Sequence, residues 1–119
     1  MASVLVVDDA AFMRLTIRQM LEAHGHTVAG EAGTGVEAVR KYAELKPEVV
    51  LLDITMPDMN GIEALKQIKE KEPKAKVVIC SAMGQQAVLA QAIEYGAKDF
   101  VVKPFEASRL MAAIDRVLQ

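Results

Sequence analysis

Three aspartates, a serine and a lysine carry the chemical interest of this chain. Asp8-Asp9 follows the apolar run Val4-Leu5-Val6-Val7, and Asp53 closes another, Val49-Val50-Leu51-Leu52. Ser81 follows Val77-Val78-Ile79-Cys80, and Lys103 follows Phe100-Val101-Val102. Carboxylates brought together repel one another unless they are protonated or bind a cation. Oxygen donors alone suit a hard cation. Mg2+ typically takes one or two carboxylates, keeps several waters and completes its octahedron on a phosphate. An aspartate can also attack phosphorus to give an acyl phosphate, a transfer that needs in-line positioning and electrostatic stabilisation. A lysine supplies a point charge for it, and a serine hydroxyl can donate to a phosphoryl oxygen. Asp53, central in the chain and followed by the loop Ile54-Thr55-Met56-Pro57, is the candidate nucleophile. Asp8 and Asp9 are the better metal supports. Taken singly, each piece has a plainer role: helix cap and first-turn charge for Asp8-Asp9, turn former for Asp53, cap for Ser81, solvated loop lysine for Lys103. Only their joint placement points to chemistry.

That placement depends on the elements between them. The four runs, with a fifth at Thr27-Val28-Ala29-Gly30-Glu31, are short and rich in β-branched residues, which predicts strands. Four are apolar throughout, as in parallel strands covered on both faces, whereas Thr27–Glu31 is polar enough for an edge. Segments of helical period separate them. Their apolar stripes are Met13, Ile17, Met20, Leu21; then Val36, Val39, Ala43; then Ile62, Leu65, Ile68; then Val88, Leu89, Ala92, Ile93; and last Leu110, Ile114, Val117, Leu118. Gly25, Pro47, Pro73 and Gly96 stop the first four. The alternation predicts an α/β fold, a (βα)5 flavodoxin-like doubly wound parallel sheet with strand order 2-1-3-4-5. In that order the first, third, fourth and fifth strands are adjacent, and their carboxyl ends line one crevice. Ligand sites form in such a crevice, near the switch in strand order.

With 119 residues the chain is expected to form one domain over 1–119, able to bury a core without a disulfide or structural metal. Its formal charge of −2 gives no field that would draw nucleic acid or an anionic membrane. Cys80 is the only cysteine, which excludes an intramolecular disulfide and thiolate zinc sites and suits a reducing compartment. No apolar stretch approaches the ~20 residues of a membrane span, and Asp8-Asp9 interrupts anything resembling a leader. A cytoplasmic protein is expected. Neither a G-x-x-x-x-G-K-[ST] nor a G-x-G-x-x-G motif occurs, which speaks against a nucleotide or flavin module. His24 and His26, either side of Gly25, read as residues of a helix-ending turn. Most of the seven methionines read as core fillers, and Cys80 as a buried strand residue.

At Val6-Val7-Asp8-Asp9, Leu52-Asp53-Ile54-Thr55-Met56-Pro57 with Asn60-Gly61, Cys80-Ser81-Ala82 and Val102-Lys103-Pro104-Phe105, the chain resembles the receiver domains of two-component response regulators. The match runs over residues 3 to 118. The resemblance implies a phosphorylation switch rather than an enzyme, in which Asp53 accepts a phosphoryl group from a histidine kinase. It implies one Mg2+ per domain, held by Asp8, Asp9, Asp53 and the backbone carbonyl of Thr55. Ser81 would follow the phosphoryl group, Lys103 would pair with it, and Phe100 would be the switch aromatic that turns inward. A cis Lys103-Pro104 bond is also implied. The implied partner surface comprises Gln86, Leu89, Ala90, Phe100, Val102 and Ala113. Thr55 and Met83 occupy the positions that tune access of hydrolytic water; neither carries an acid or amide, so help from a partner phosphatase is expected. Asp8 to Arg14 and Ser81 to Gln86 look most like single-domain chemotaxis receivers of the CheY type. Such a protein would take phosphate from the chemotaxis histidine kinase and bind the flagellar motor switch, as a monomer without nucleic acid or membrane insertion. A phosphorelay intermediate and the isolated receiver of a larger regulator fit the same residues. A Mg2+-dependent phosphohydrolase is the alternative from another class, although Asp53-Ile54-Thr55 lacks the second aspartate that haloacid-dehalogenase-type phosphatases carry.

Overall fold

A computed structural model describes residues 2–54, 56 and 61–119. Five strands, β1 (Ser3–Val7), β2 (Thr27–Ala32), β3 (Val49–Asp53), β4 (Val77–Ala82) and β5 (Asp99–Lys103), alternate with five helices. The helices are α1 (Ala11–Ala23), α2 (Gly35–Leu45), α3 (Gly61–Lys71), α4 (Gln86–Glu94) and α5 (Ala107–Leu118). All strand pairs are parallel and the order is β2-β1-β3-β4-β5, the flavodoxin-like arrangement predicted.

Strand alternation sorts the core into two layers. Leu5, Val7, Val50, Leu52, Val77 and Ile79 face one side, where Ala38 and Val39 of α2, Ile62, Leu65 and Ile68 of α3 and Ala92 of α4 cover them. Val4, Val6, Val49, Leu51, Val78 and Cys80 face the other, under Ile17 and Leu21 of α1 and Leu110, Ile114 and Val117 of α5. Each fully buried Leu, Ile or Val contributes about 1.5–3 kcal/mol of transfer free energy, so these layers dominate the stability. Every residue of β3 is buried, which explains its unbroken apolar run.

Several details depart from the pattern reading. In α2 the buried residues are Gly35, Ala38 and Val39, while Val36 and Ala43 are exposed. The packing stripe is therefore rotated onto small residues that let α2 lie close to the sheet. In α4 only Ala92 is fully buried; Val88 and Leu89 pack at the margin and Ile93 is exposed. The fifth run reads as covered on both faces, yet β5 lies at the open edge of the sheet with Phe100 exposed and Val102 half-buried. Met83 is exposed, Met56 and Met111 are buried, and Met13 and Met20 lie in between. β2 forms the other edge, as its polarity predicts, and its register with β1 slips between Val4 and Leu5, opposite Val28 and Gly30. Among the described residues no helix is long and apolar enough to cross a membrane.

Candidate functional site

Because β1 and β3 are neighbours while the chain runs outward from them in opposite directions, a crevice opens beyond their carboxyl ends. Asp8 is the first residue after β1 and is buried; Asp9 beside it is exposed. Asp53 is the last residue of β3, also buried. One carboxylate oxygen from each of Asp8, Asp9 and Asp53 lies within 4.8 Å of the others. Lys103, the last residue of β5, reaches across from the sheet edge. Its Nζ donates to Asp8 Oδ2 at 2.6 Å and stands 3.7 Å from Asp53 Oδ2.

Electrostatics follow from this geometry. Burial disfavours the Lys103 ammonium, but the hydrogen bond to Asp8 and the charges of Asp53 and Asp8 outweigh it, so its pKa is raised above the ordinary lysine value. Three carboxylates against one ammonium leave two negative charges in the crevice when all are ionised. That surplus, on oxygen donors alone, matches a hard divalent cation. The residues present therefore fit Mg2+, with Asp8, Asp9 and Asp53 as the side chains that would hold it.

The strands extend further than the apolar runs, so Ser81 and Lys103 lie within β4 and β5 instead of following them. Ser81 is buried, paired with Val102 across the β4–β5 ladder and one residue beyond Cys80, which pairs with Asp53. Ser81 does not take the plainer role of a helix cap: the N-cap of α4 is Gln85, whose Oε1 accepts from the Ala82 N–H at 2.7 Å. Nor does Asp8 cap α1: the N-cap is Ala10, and Asp8 Oδ1 accepts from its N–H at 2.9 Å, tightening the turn beyond β1. Lys103-Pro104 is cis, as the resemblance implies. The backbone carbonyl of Thr55 lies outside the described residues.

On the α4–β5–α5 side, Gln86, Ala90 and Phe100 are exposed, and Leu89 and Val102 half-buried. Ala113 is different: it is fully buried among Leu110, Ile114 and Val117 and cannot belong to an exposed face. Its small side chain lets α5 approach the sheet. A cavity of about 130 Å³ lies between Ser81, the β4–α4 turn, Leu89 and Val102. The two histidines take structural parts. His24 Nδ1 is 2.9 Å from the Met20 carbonyl oxygen, and buried His26 accepts the Ala2 N–H at Nδ1, 3.1 Å away. Burial pushes the Cys80 thiol up. Two residues that motif reading leaves without a structural reason stand out. Gly61 opens α3 with its N–H on the Ile54 carbonyl, and a Cβ there would lie 2.4 Å from the Asp53 carbonyl oxygen. Arg14 donates to the carbonyl of Asp8.

A doubly wound sheet with an acidic triad and a lysine at its switch point defines an aspartate-centred receiver. Residues 4–115 match the response regulator receiver domain model, and the chain belongs to that family. It is 57% identical to the chemotaxis protein CheY of Thermotoga maritima over 114 residues, covering 96% of this chain and 95% of the relative. It is 52% identical to the chemotaxis protein CheY of Bacillus subtilis over 115 residues, covering 97% and 96%. Among solved structures it is similar to the CheX–CheY–BeF3–Mg complex from Borrelia burgdorferi, with TM-score 0.94 and 34% identity over 98% of this chain and 89% of that one. The chain is thus a receiver domain of the CheY type, consistent with a phosphorylation-activated signalling switch in two-component chemotaxis.

Proposed function

We propose that this protein accepts a phosphoryl group on Asp53 from the chemotaxis histidine kinase and, once phosphorylated, changes its affinity for the flagellar motor switch. The observation that carries the reading is the convergence of Asp8, Asp9 and Asp53 with the Lys103 ammonium at the carboxyl ends of the strands. An Asp53 oxygen forms the new P–O bond as the P–N bond of the kinase phosphohistidine breaks, and the departing imidazole takes up a proton. One Mg2+, when bound, neutralises charge on the phosphoryl oxygens; Asp8, Asp9 and Asp53 would hold it, with the Thr55 carbonyl as a further donor. Lys103 would then exchange its contact with Asp8 for one with the phosphoryl group, and the Ser81 hydroxyl would donate to it.

The output is a population shift. A phosphoryl group that draws Ser81 and the β4–α4 turn inward biases the protein toward a state in which Phe100 turns in from the sheet edge. The cavity between Ser81, Leu89 and Val102 supports this, because it leaves space for the turn to close. The face of Gln86, Leu89, Ala90, Phe100 and Val102 then meets the target. The protein acts as a single-domain, monomeric cytoplasmic switch and not as an enzyme on outside substrates, with dephosphorylation assisted by a partner phosphatase. A similar CheY has been solved in complex with a second protein, CheX, which favours regulation of this chain by a bound partner. Binding of the motor switch protein should rise on phosphorylation in the wild type and not in Ser81→Ala phosphorylated to the same level. Equal binding by the two phosphoproteins would sever the proposed coupling.

A further inference from the structure

The turn that joins Asp8 to Asp9 is held from behind by a cluster outside the acidic crevice. Arg14, in the first turn of α1, donates from Nη1 to the Asp8 carbonyl oxygen at 2.6 Å and from Nε to Glu31 Oε1 at 3.1 Å. Glu31 belongs to β2, at the opposite side of β1 from Asp53. Arg18, one turn further along α1, donates from Nε to the other oxygen of Glu31 at 2.9 Å and also pairs with Glu22 at 3.3 Å. Lys41 of α2 donates to the Glu31 carbonyl. Gly33 leaves the guanidinium its room, since a Cβ there would stand 3.3 Å from Arg14 Nη1.

The carbonyl that Arg14 engages is part of the peptide linking the two candidate metal ligands. The Asp8 N–H is separately held by the Ala32 carbonyl at 3.1 Å, and Asp8 Oδ1 by the Ala10 N–H. Arg14 therefore sets the peptide plane from which Asp8 and Asp9 project. We infer that Arg14, clamped by Glu31, is a positioning residue that fixes the Asp8-Asp9 turn for divalent-cation binding. The inference rests on the reading of the acidic crevice as a Mg2+ site. Groups that orient metal ligands through hydrogen bonds change affinity by about 10–100-fold when removed.

Charge and positioning predict opposite signs, which makes the test decisive. Removing a cation near an acidic site strengthens Mg2+ binding on Coulomb grounds alone, whereas loss of positioning weakens it. Arg18 is the internal control, for it shares Glu31 but has no hydrogen bond to Asp8. The experiment is calorimetric Mg2+ titration of the full chain, wild type against Arg14→Met, Arg18→Met and Arg14→Lys, with urea unfolding of each. Arg14→Met should bind Mg2+ about tenfold more weakly or worse. Arg18→Met should bind no more weakly than wild type despite a similar loss of stability. Arg14→Lys, which keeps the charge but cannot engage the Asp8 carbonyl and Glu31 together, should also weaken binding, where charge alone predicts no change, and serves if Arg14→Met does not fold. Wild-type-like or tighter binding by Arg14→Met would overturn the inference, as would equal weakening in Arg18→Met. Wild-type protein that binds no Mg2+ would overturn the reading of the crevice itself, and the inference with it.

Discussion

Replacing Lys103 with methionine should tighten Mg2+ binding. The ammonium already occupies part of the place a cation would take, donating to Asp8 Oδ2 at 2.6 Å and standing 3.7 Å from Asp53 Oδ2. A metal that takes Asp8 Oδ2 must displace this hydrogen bond, although the long lysine side chain can swing toward Asp53 and so avoid the full repulsion. The cost to the metal is then the charge-assisted hydrogen bond to Asp8, worth about 1.5–3 kcal/mol. At about 1.4 kcal/mol per tenfold, its removal should raise affinity roughly ten- to a hundredfold. Calorimetric titration of wild type and Lys103→Met at one ionic strength measures the ratio. The Lys103 pKa is raised above its unfolded value of 10.5, so the ion pair is complete below that value and is lost only as pH rises through the higher folded one. The affinity ratio should therefore stay flat from about pH 6 to 9, as far as Lys103 is concerned. Unchanged or weaker Mg2+ binding by Lys103→Met would refute the view that lysine and metal compete for Asp8.

Three further perturbations test other parts of the account. Gly61→Ala should destabilise the fold by about 1–3 kcal/mol in urea and displace Asp53, because the added Cβ meets backbone atoms of Asp53 and Ile54 at 2.4 and 2.5 Å; an unshifted urea midpoint would contradict this. Cys80, buried and with its thiol pushed up, should resist an aromatic disulfide reagent at about pH 8 until the protein is unfolded, and rapid native-state labelling would show otherwise. Burial raises the Glu31 pKa, but hydrogen bonds from Arg18 and Arg14 outweigh it and hold the carboxyl below its ordinary value of 4.5. Glu31→Gln should therefore cost about 0.2–1 kcal/mol at neutral pH, and the difference should vanish as pH falls through the lowered pKa, whereas a cost that persists in acid would point to packing.

Much of this was legible in residue order because parallel strands buried on both faces write themselves as apolar runs. β1, β3 and β4 did so, and each ends at or near a polar residue of the crevice. The strand order then brought Asp8, Asp53, Ser81 and Lys103 together without any knowledge of distances. Side-chain contacts between distant segments were not legible. Arg14 and Arg18 sit four residues apart on α1 as any solvated basic pair might, and only the fold brings Glu31 against both. Gly61 follows Asn60 as an ordinary turn glycine would; the reason no Cβ fits is the backbone after β3, not its neighbours in sequence. The resemblance implies Ala113 on the partner face, whereas the core-facing side of α5 buries it. Lying three residues after Leu110 and four before Val117, Ala113 falls on the apolar stripe of α5, so helical period outweighs the resemblance at this position.

The central claim, that Asp53 is the phosphoacceptor in a metal-dependent site, is tested most directly by intact mass. The protein would be incubated with acetyl phosphate, with and without Mg2+, beside Asp53→Asn. A single phosphoryl adduct that requires both Mg2+ and Asp53 is the predicted result. An adduct that persists in Asp53→Asn or without Mg2+, or no adduct in any condition, would contradict the account.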